Sequence, residues 1–288
     1  MRRAAALAAT MMLGLSSAAL AAPPKPQRVM SLNLCTDDLI LQLLPPERIA
    51  SVTYLSRVPA QGPAAAKAAG VPVNYGTSEE VLAEQPDLVI AGTTSTPAVR
   101  ALLKRTGIAL LEIPAAENFD DIRAIARKVG RAVGEDEKAD VLLHRMDATL
   151  AALKLSAPNP AIAVVAWDGG GNVPGPGTLF DAILTAAGAV NVAAKATQNT
   201  LYGNYTSFDL EQLVVLSPQL VVYGGSGLTR PDQVHQQIRH PVVQRLFEGR
   251  QITYNETFYR CGLPQSADAA KRLRDAMLGA LAAAKKRP

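Results

Sequence analysis

Cys35 and Cys261 are the only cysteines among 288 residues, and each sits where an α/β protein most readily does chemistry. Cys35 follows a strand-like run at 28–32, and Cys261 lies in a Tyr259-Arg260-Cys261-Gly262 turn after a strand-like run at 251–254. Open α/β sheets form their ligand crevices at the carboxyl ends of strands. In an oxidising compartment such a pair closes a disulfide. Here it would cross between the two halves of the chain, restrict their opening, and require Cα atoms within about 7 Å. The alternatives are two thiols that line a pocket and touch ligand or metal, and two unrelated buried thiols.

Other chemistries are poorly served. A site for bare zinc or manganese needs several histidines and a carboxylate converging on one point. The chain has only His144, His235 and His240, and the last two, five residues apart, do not share a helical face. No metal ligands are assigned. A GxSxG elbow and an HExxH motif are both missing, and Ser, Asp and His are too scattered to define a triad. No catalytic residues are assigned, and the chain does not read as an enzyme. The glycine-rich stretch DGGGNVPGPG at 168–177 lacks the spacings of phosphate-binding loops and has no following Lys, so it reads as a cleft-lining loop. Aromatic residues are only 5% of the chain, yet Tyr54, Trp167, Tyr202, Tyr205, Tyr223, Phe258 and Tyr259 fall at expected strand ends and loops. As a set they suit the wall of a pocket for a sizeable organic ligand, with Arg57, Arg230 and Arg260 to meet negative charge.

The elements that must position these residues alternate strand and helix. A strand at 28–32 leads to a helix at 36–44, with Thr36 as N-cap and Asp37 and Asp38 in the first turn, where the helix dipole favours negative charge. A strand at 49–53, a Gly, Pro and Ala-rich loop at 59–73 with room for one weak helix, helices at 98–106 and 119–133 and a strand at 108–113 follow. The helix at 135–155 repeats Ala139, Leu142, Leu143, Met146, Leu150 and Leu153 at helical spacing, charged on its other face. Beyond it come a strand at 161–167, a helix at 178–187 closed by Gly188, and a final helix after Cys261.

One unit occurs twice, about 130 residues apart: TSEEVLAEQPDLVIAG at 77–92 and SFDLEQLVVLSPQLVVYG at 207–224. Aligning Glu79 with Glu211 matches Val81 to Leu213, Pro86 to Pro218 and Gly92 to Gly224. Each copy is a short acidic helix, a Pro that stops it, and an apolar run that reads as a strand buried on both faces. The expected fold is α/β: two Rossmann-like lobes with mainly parallel sheets, at 22–134 and 157–288, joined by a single bridge helix at 135–156, with a ligand cleft between them.

Residues 1–21 read as a secretory signal, with Arg2 and Arg3, an apolar stretch from 4 to 15, and Ala19-Leu20-Ala21 before the cleavage point. No Cys stands at that point, which argues for a soluble periplasmic product over a lipid-anchored one. Cleavage leaves 267 residues and lowers the net charge from +4 to +2, because Arg2 and Arg3 go with the signal. A charge so near neutral, with Lys and Arg dispersed, argues against a nucleic-acid partner.

The chain resembles the periplasmic substrate-binding proteins of ABC importers for iron-siderophores, haem and cobalamin. The resemblance runs through RVMSLNLCTDDL, EEVLAEQPDLVIAG, the bridge helix, TAAGAVNVA, DLEQLVVLSPQLVVYGG and FYRCGLPQ. It implies a monomer that captures a small-molecule metal chelate between its lobes, needs no cofactor, and delivers the chelate to a membrane permease and its ATPase. It implies that Glu79 and Glu211 dock to the permease, with Glu80 as the alternative to Glu79. It lines the cleft with Asn33, Leu34, Cys35 and Thr36 after the first strand, and with Tyr259, Arg260 and Cys261 near the last. Tyr54, Arg57, Trp167 and Tyr205 complete the expected ligand site. The competing expectation is an exported metal chaperone or enzyme of the same fold that uses Cys35 and Cys261.

Overall fold

In the computed structural model the described residues are 24–57, 65–93, 97–167, 172–196, 205–207, 210–224, 239–254, 259 and 261–286. The signal at 1–21, Tyr202, Arg230, His235, Phe258 and Arg260 lie outside them.

In chain order the first half contains β1 (Val29–Ser31), α1 (Leu34–Leu43), β2 (Ile49–Thr53), α2 (Ala65–Ala68), β3 (Val73–Asn74), α3 (Ser78–Glu84), β4 (Leu88–Gly92), α4 (Pro97–Thr106), β5 (Ala109–Ile113) and α5 (Phe119–Val133). The long helix α6 (Asp136–Leu155) follows. The second half contains β6 (Ile162–Trp167), β7 (Asn172–Pro174), α7 (Leu179–Ala186), β8 (Ala189–Asn191), β9 (Tyr205–Ser207), α8 (Leu210–Leu216), β10 (Leu220–Gly224), α9 (Pro241–Leu246), β11 (Gln251–Tyr254) and α10 (Ser266–Lys285).

The strands form a five-stranded sheet ordered β3-β2-β1-β4-β5 and a four-stranded sheet ordered β11-β10-β6-β8, in which every pairing is parallel. The crossovers that parallel pairing requires are the helices, and they bury the sheets on both faces. Alternate residues of one strand accordingly feed different clusters. In β4, Leu88 and Ile90 join one cluster and Val89 and Ala91 another; in β10, Leu220 and Val222 part from Val221 and Tyr223 in the same way.

The shared inner cluster takes residues from α1, α5, α6, α7 and α10 and from both sheets, so the two α/β halves meet through packed apolar side chains. Its outer counterparts are separate, one beneath α3 and α4 and one beneath α8 and α9. Helix α6 buries Ala139, Leu143, Met146 and Leu153, and α10 lies beside it. Arg274 of α10 is almost fully buried and donates to the carbonyls of Leu153, Ala186 and Ala187, which close α6 and α7. A guanidinium placed on the last carbonyls of two helices satisfies acceptors that have no partner within the helix.

Four short strands were not foreseen, β3 among them. Strands β7 and β9 pair antiparallel, so the glycine-rich stretch is in part a strand. Strand β8 pairs with β6, and its Asn191, 2% exposed, accepts from the amides of Ala166 and Ala193 and donates to the Pro174 carbonyl. Helix α1 also starts two residues earlier than expected: Asn33 is the N-cap, in extended conformation, with its side chain accepting from the Cys35 amide. Thr36 is instead inside the helix.

Candidate ligand-binding site

The carboxyl edge of the five-stranded sheet carries the residues best placed to meet a ligand. Strands β2 and β3 are parallel neighbours with Thr53 opposite Asn74, and each strand ends there, so that the next residue of each lies just past the strand end. Those residues are Tyr54 and Tyr75, whose rings stack with centroids 5.0 Å apart and planes 23° apart. The pair is 45% and 69% exposed. Two large rings held together in water at a strand-end edge form a flat, partly apolar platform. Arg57 closes the short 3-10 turn Tyr54–Arg57, is exposed, and donates to the Val71 carbonyl at 2.7 Å. Tyr75 was missed by sequence reasoning; the available signal was an aromatic residue directly after a strand end, in Asn74-Tyr75-Gly76.

Beneath this platform lies a buried polar cluster. Asp37 is in the first turn of α1, but its carboxylate points inward. Its Oδ2 accepts from the Thr53 amide (3.1 Å), the Thr53 hydroxyl (2.5 Å) and the Ser56 hydroxyl (2.6 Å). Burial pushes its pKa up to about 6, against the opposing pull of the Ser31, Ser56 and Thr53 hydroxyls and the Thr53 amide. Asn74 is fully buried; it donates to the Ser31 carbonyl and the Ser51 hydroxyl, and accepts from the Gly76 amide.

The disulfide joins this edge to the second half of the chain. Cys35 and Cys261 are bonded, with Cα atoms 5.0 Å apart. The bond ties the first turn of α1 to the segment that enters α10, and Gln42 in the last turn of α1 hydrogen-bonds Gln265 of the same segment. Gly262 presses against the loop before α5 so closely that a Cβ there would clash with that of Ala116. Only glycine fits that approach.

Several expected site residues are therefore corrected. Thr36 is buried, and its hydroxyl bonds Ser31 and the Asn33 carbonyl, so it faces the core. Tyr259 is buried in a trio with Phe180 and Tyr254, at centroid distances of 4.5–5.1 Å, and its hydroxyl donates to the Ala269 carbonyl. Cys35 and Cys261 carry no thiol for a ligand or metal, and Cys261 is 1% exposed. Asn33 and Leu34 remain at the edge, half-buried, with the Asn33 side chain used as a cap. Trp167 ends β6 opposite Tyr223, and Tyr205 begins β9 opposite Pro174.

The two glutamates of α3 differ in their work. Glu80 completes a capping box with Thr77 and also accepts from the Tyr75 amide. Its slight burial would raise its pKa, but the Thr77, Tyr75 and Gly76 amides and the Thr77 hydroxyl hold it below the usual carboxylate range. Glu79 and Glu211 are exposed at matching positions of α3 and α8.

Similar proteins bear on this arrangement. A cobalamin-binding protein of Halobacterium salinarum is 26% identical over 215 residues, which cover 73% of this chain and 57% of that protein. An ABC transporter substrate-binding lipoprotein of Bacillus subtilis, YvrC, is 24% identical, covering 69% of this chain and 63% of that one. The chain thus spans less than two thirds of the length of these relatives. Among solved structures, the periplasmic heme-binding protein RhuT of Roseiflexus sp. RS-1 superposes with a TM-score of 0.72 at 22% identity, covering 88% of this chain and 99% of that one. The vitamin B12-binding protein BtuF of Vibrio cholerae superposes with a TM-score of 0.66 at 17% identity, covering 92% and 100%. The family described as periplasmic binding protein matches residues 29–247, and this chain belongs to it.

Proposed function

We propose that this protein is the periplasmic solute-binding component of an ABC importer, capturing a metal chelate such as an iron-siderophore, corrinoid or haem and handing it to a membrane permease. The observation that carries the reading is the exposed Tyr54–Tyr75 stack at the carboxyl edge of a parallel sheet. Such a face suits a planar or macrocyclic organic ligand, with Arg57 beside it for negative charge. The disulfide between the two halves supports a cleft whose floor joins the lobes at 22–134 and 157–288, with the helix at 135–156 between them. Asn33, Leu34, Trp167, Tyr205 and Arg260 are proposed to complete its walls. Secretion through a cleaved signal at 1–21, without a lipid anchor, belongs to the same reading, as do a monomeric state and binding without catalysis.

Titrating the purified protein with haemin, cyanocobalamin and ferric siderophores tests it. Saturable binding of one class is expected, and binding to none removes the reading. Delivery is proposed to use Glu79 and Glu211 as contacts for basic residues of the permease. The double substitution Glu79→Ala with Glu211→Ala should keep ligand affinity and abolish uptake; uptake that survives removes the docking assignment. The alternative, an exported metal chaperone or enzyme working through Cys35 and Cys261, is not favoured because the two sulfurs are bonded to each other.

A further inference from the structure

We propose that Asp37 and Asn74 are positioning residues for the Tyr54–Tyr75 pair, two buried polar side chains that hold adjacent strand-end turns so that the rings stay stacked and face the ligand. The proposal rests on the ligand reading above for what the rings do, and on geometry alone for how they are held.

The two rings reach the surface from neighbouring strands, and each is flanked by groups tied to one buried side chain. Tyr54 lies between Thr53 and Ser56, and all three bonds that these residues give to Asp37 converge on the single oxygen Oδ2. Tyr75 lies between Asn74 and Gly76. Asn74 anchors its own side chain on Ser31 and Ser51, in β1 and β2, and then accepts from the Gly76 amide, which sets the turn that carries Tyr75. Glu80 clamps the Tyr75 amide from the other side. Ser31 links the two systems: its carbonyl accepts from Asn74, and its hydroxyl bonds Thr36, next to Asp37 on α1.

A fully buried carboxylate opposes folding, and an apolar or neutral residue would serve the core better. Asp37 spends that cost on one four-residue turn, as expected if the turn's orientation is what matters. A platform fixed before the ligand arrives avoids paying the ordering entropy of two aromatic side chains on binding. Rigid support of this kind separates a preformed site from two tyrosines that happen to be exposed.

The test uses the full chain with haemin and cyanocobalamin as probes, and reads the stack without any probe from the ring-current-shifted tyrosine protons by NMR. Asp37→Ala and Asn74→Ala are expected to lose the shifted signals and to bind the probe that wild type binds about tenfold more weakly. Asp37→Asn keeps an acceptor oxygen and should retain both readouts. Leu143→Ala, buried in α6 away from the edge, should lower thermal stability while leaving the shifted signals and the affinity in place. If Asp37→Ala does not fold, Ser56→Ala and Thr53→Val remove the donors from the opposite side, and the same losses are expected. Shifted signals that persist in Asp37→Ala, or in both donor variants, overturn the proposal, as does an equal loss in Leu143→Ala. A wild type that binds neither probe counts against the ligand reading, while the NMR signals still decide whether these residues hold the stack.

Discussion

The two copies of the repeated unit are nearly the same object. Val81 and Leu213 are both fully buried, Glu79 and Glu211 both exposed, and Pro86 and Pro218 both buried. Gln85 and Ser217, one residue before each Pro, both adopt left-handed backbone, with φ of 47° and 40°. The likeness extends to the next helices among the described residues: α4 and α9 each open with Pro, and Val99 and Leu103 of α4, or Val243 of α9 and its C-cap Phe247, are buried on the outer cluster. The turns after the first strands of the two halves do not match. After β1, Asp37 turns into the interior and organises the Tyr54 turn, whereas after β6 the chain inserts β7 before α7. There Asp181 is half-buried, and burial alone raises its pKa. The outer scaffold is duplicated and the inner edge is specialised, which is the division expected if packing is conserved in kind while binding residues sit on the loops.

The duplication breaks most visibly if its buried anchors are cut. Leu213→Ala should cost about 2–5 kcal/mol and Val81→Ala about 2 kcal/mol, in proportion to the carbons removed, as read by denaturant melts. A copy that tolerates its substitution would not be an equivalent unit. Reducing the disulfide, or replacing both cysteines with Ser, should cost about 2–5 kcal/mol, because the bond constrains residues 226 apart in the unfolded chain.

The specialised edge should titrate. The folded pKa of Asp37 lies above its unfolded value, so between about 4 and 6 the folded state binds more protons and stability falls as pH rises. The loss amounts to about 3 kcal/mol and is completed as the pH rises through about 6. Asp37→Asn should flatten that slope, measured as Tm against pH; a wild-type curve level across the same window would put Asp37 outside the account. Smaller still is the contrast within α3. Glu80→Ala removes half of a capping box and should cost about 1 kcal/mol, whereas Glu79→Ala should stay within about 0.5 kcal/mol.

Much of the fold was legible because its signals are local. The helix at Phe119–Val133 and the strand at Gln251–Tyr254 were read at the residues where they occur, and α6 within one residue. The short strands β3, β7, β8 and β9 were not, since two or three residues carry no periodicity. Helix α1 was begun at Thr36 because a Thr followed by two Asp looks like a cap, while the true cap, Asn33, lies outside the acidic pattern. The candidate site was less legible. Tyr54 and Arg57 were read at a strand end, which is where they lie, but Tyr259 looked the same in sequence and is core, and the stacking partner Tyr75 was passed over.

The sequence by itself determined the order of the longer strands and helices, the duplication, and the carboxyl edges where a site would form. Spacing, proline punctuation and burial on both faces of a strand are written into neighbouring residues. Tertiary structure alone decided that Cys35 meets Cys261 across 226 residues, that Asp37 faces inward where Glu79 faces water, and that Tyr54 finds Tyr75. Each of those depends on which strands become neighbours, and strand order in a parallel sheet is set by how the crossover helices pack, not by any pattern within one segment.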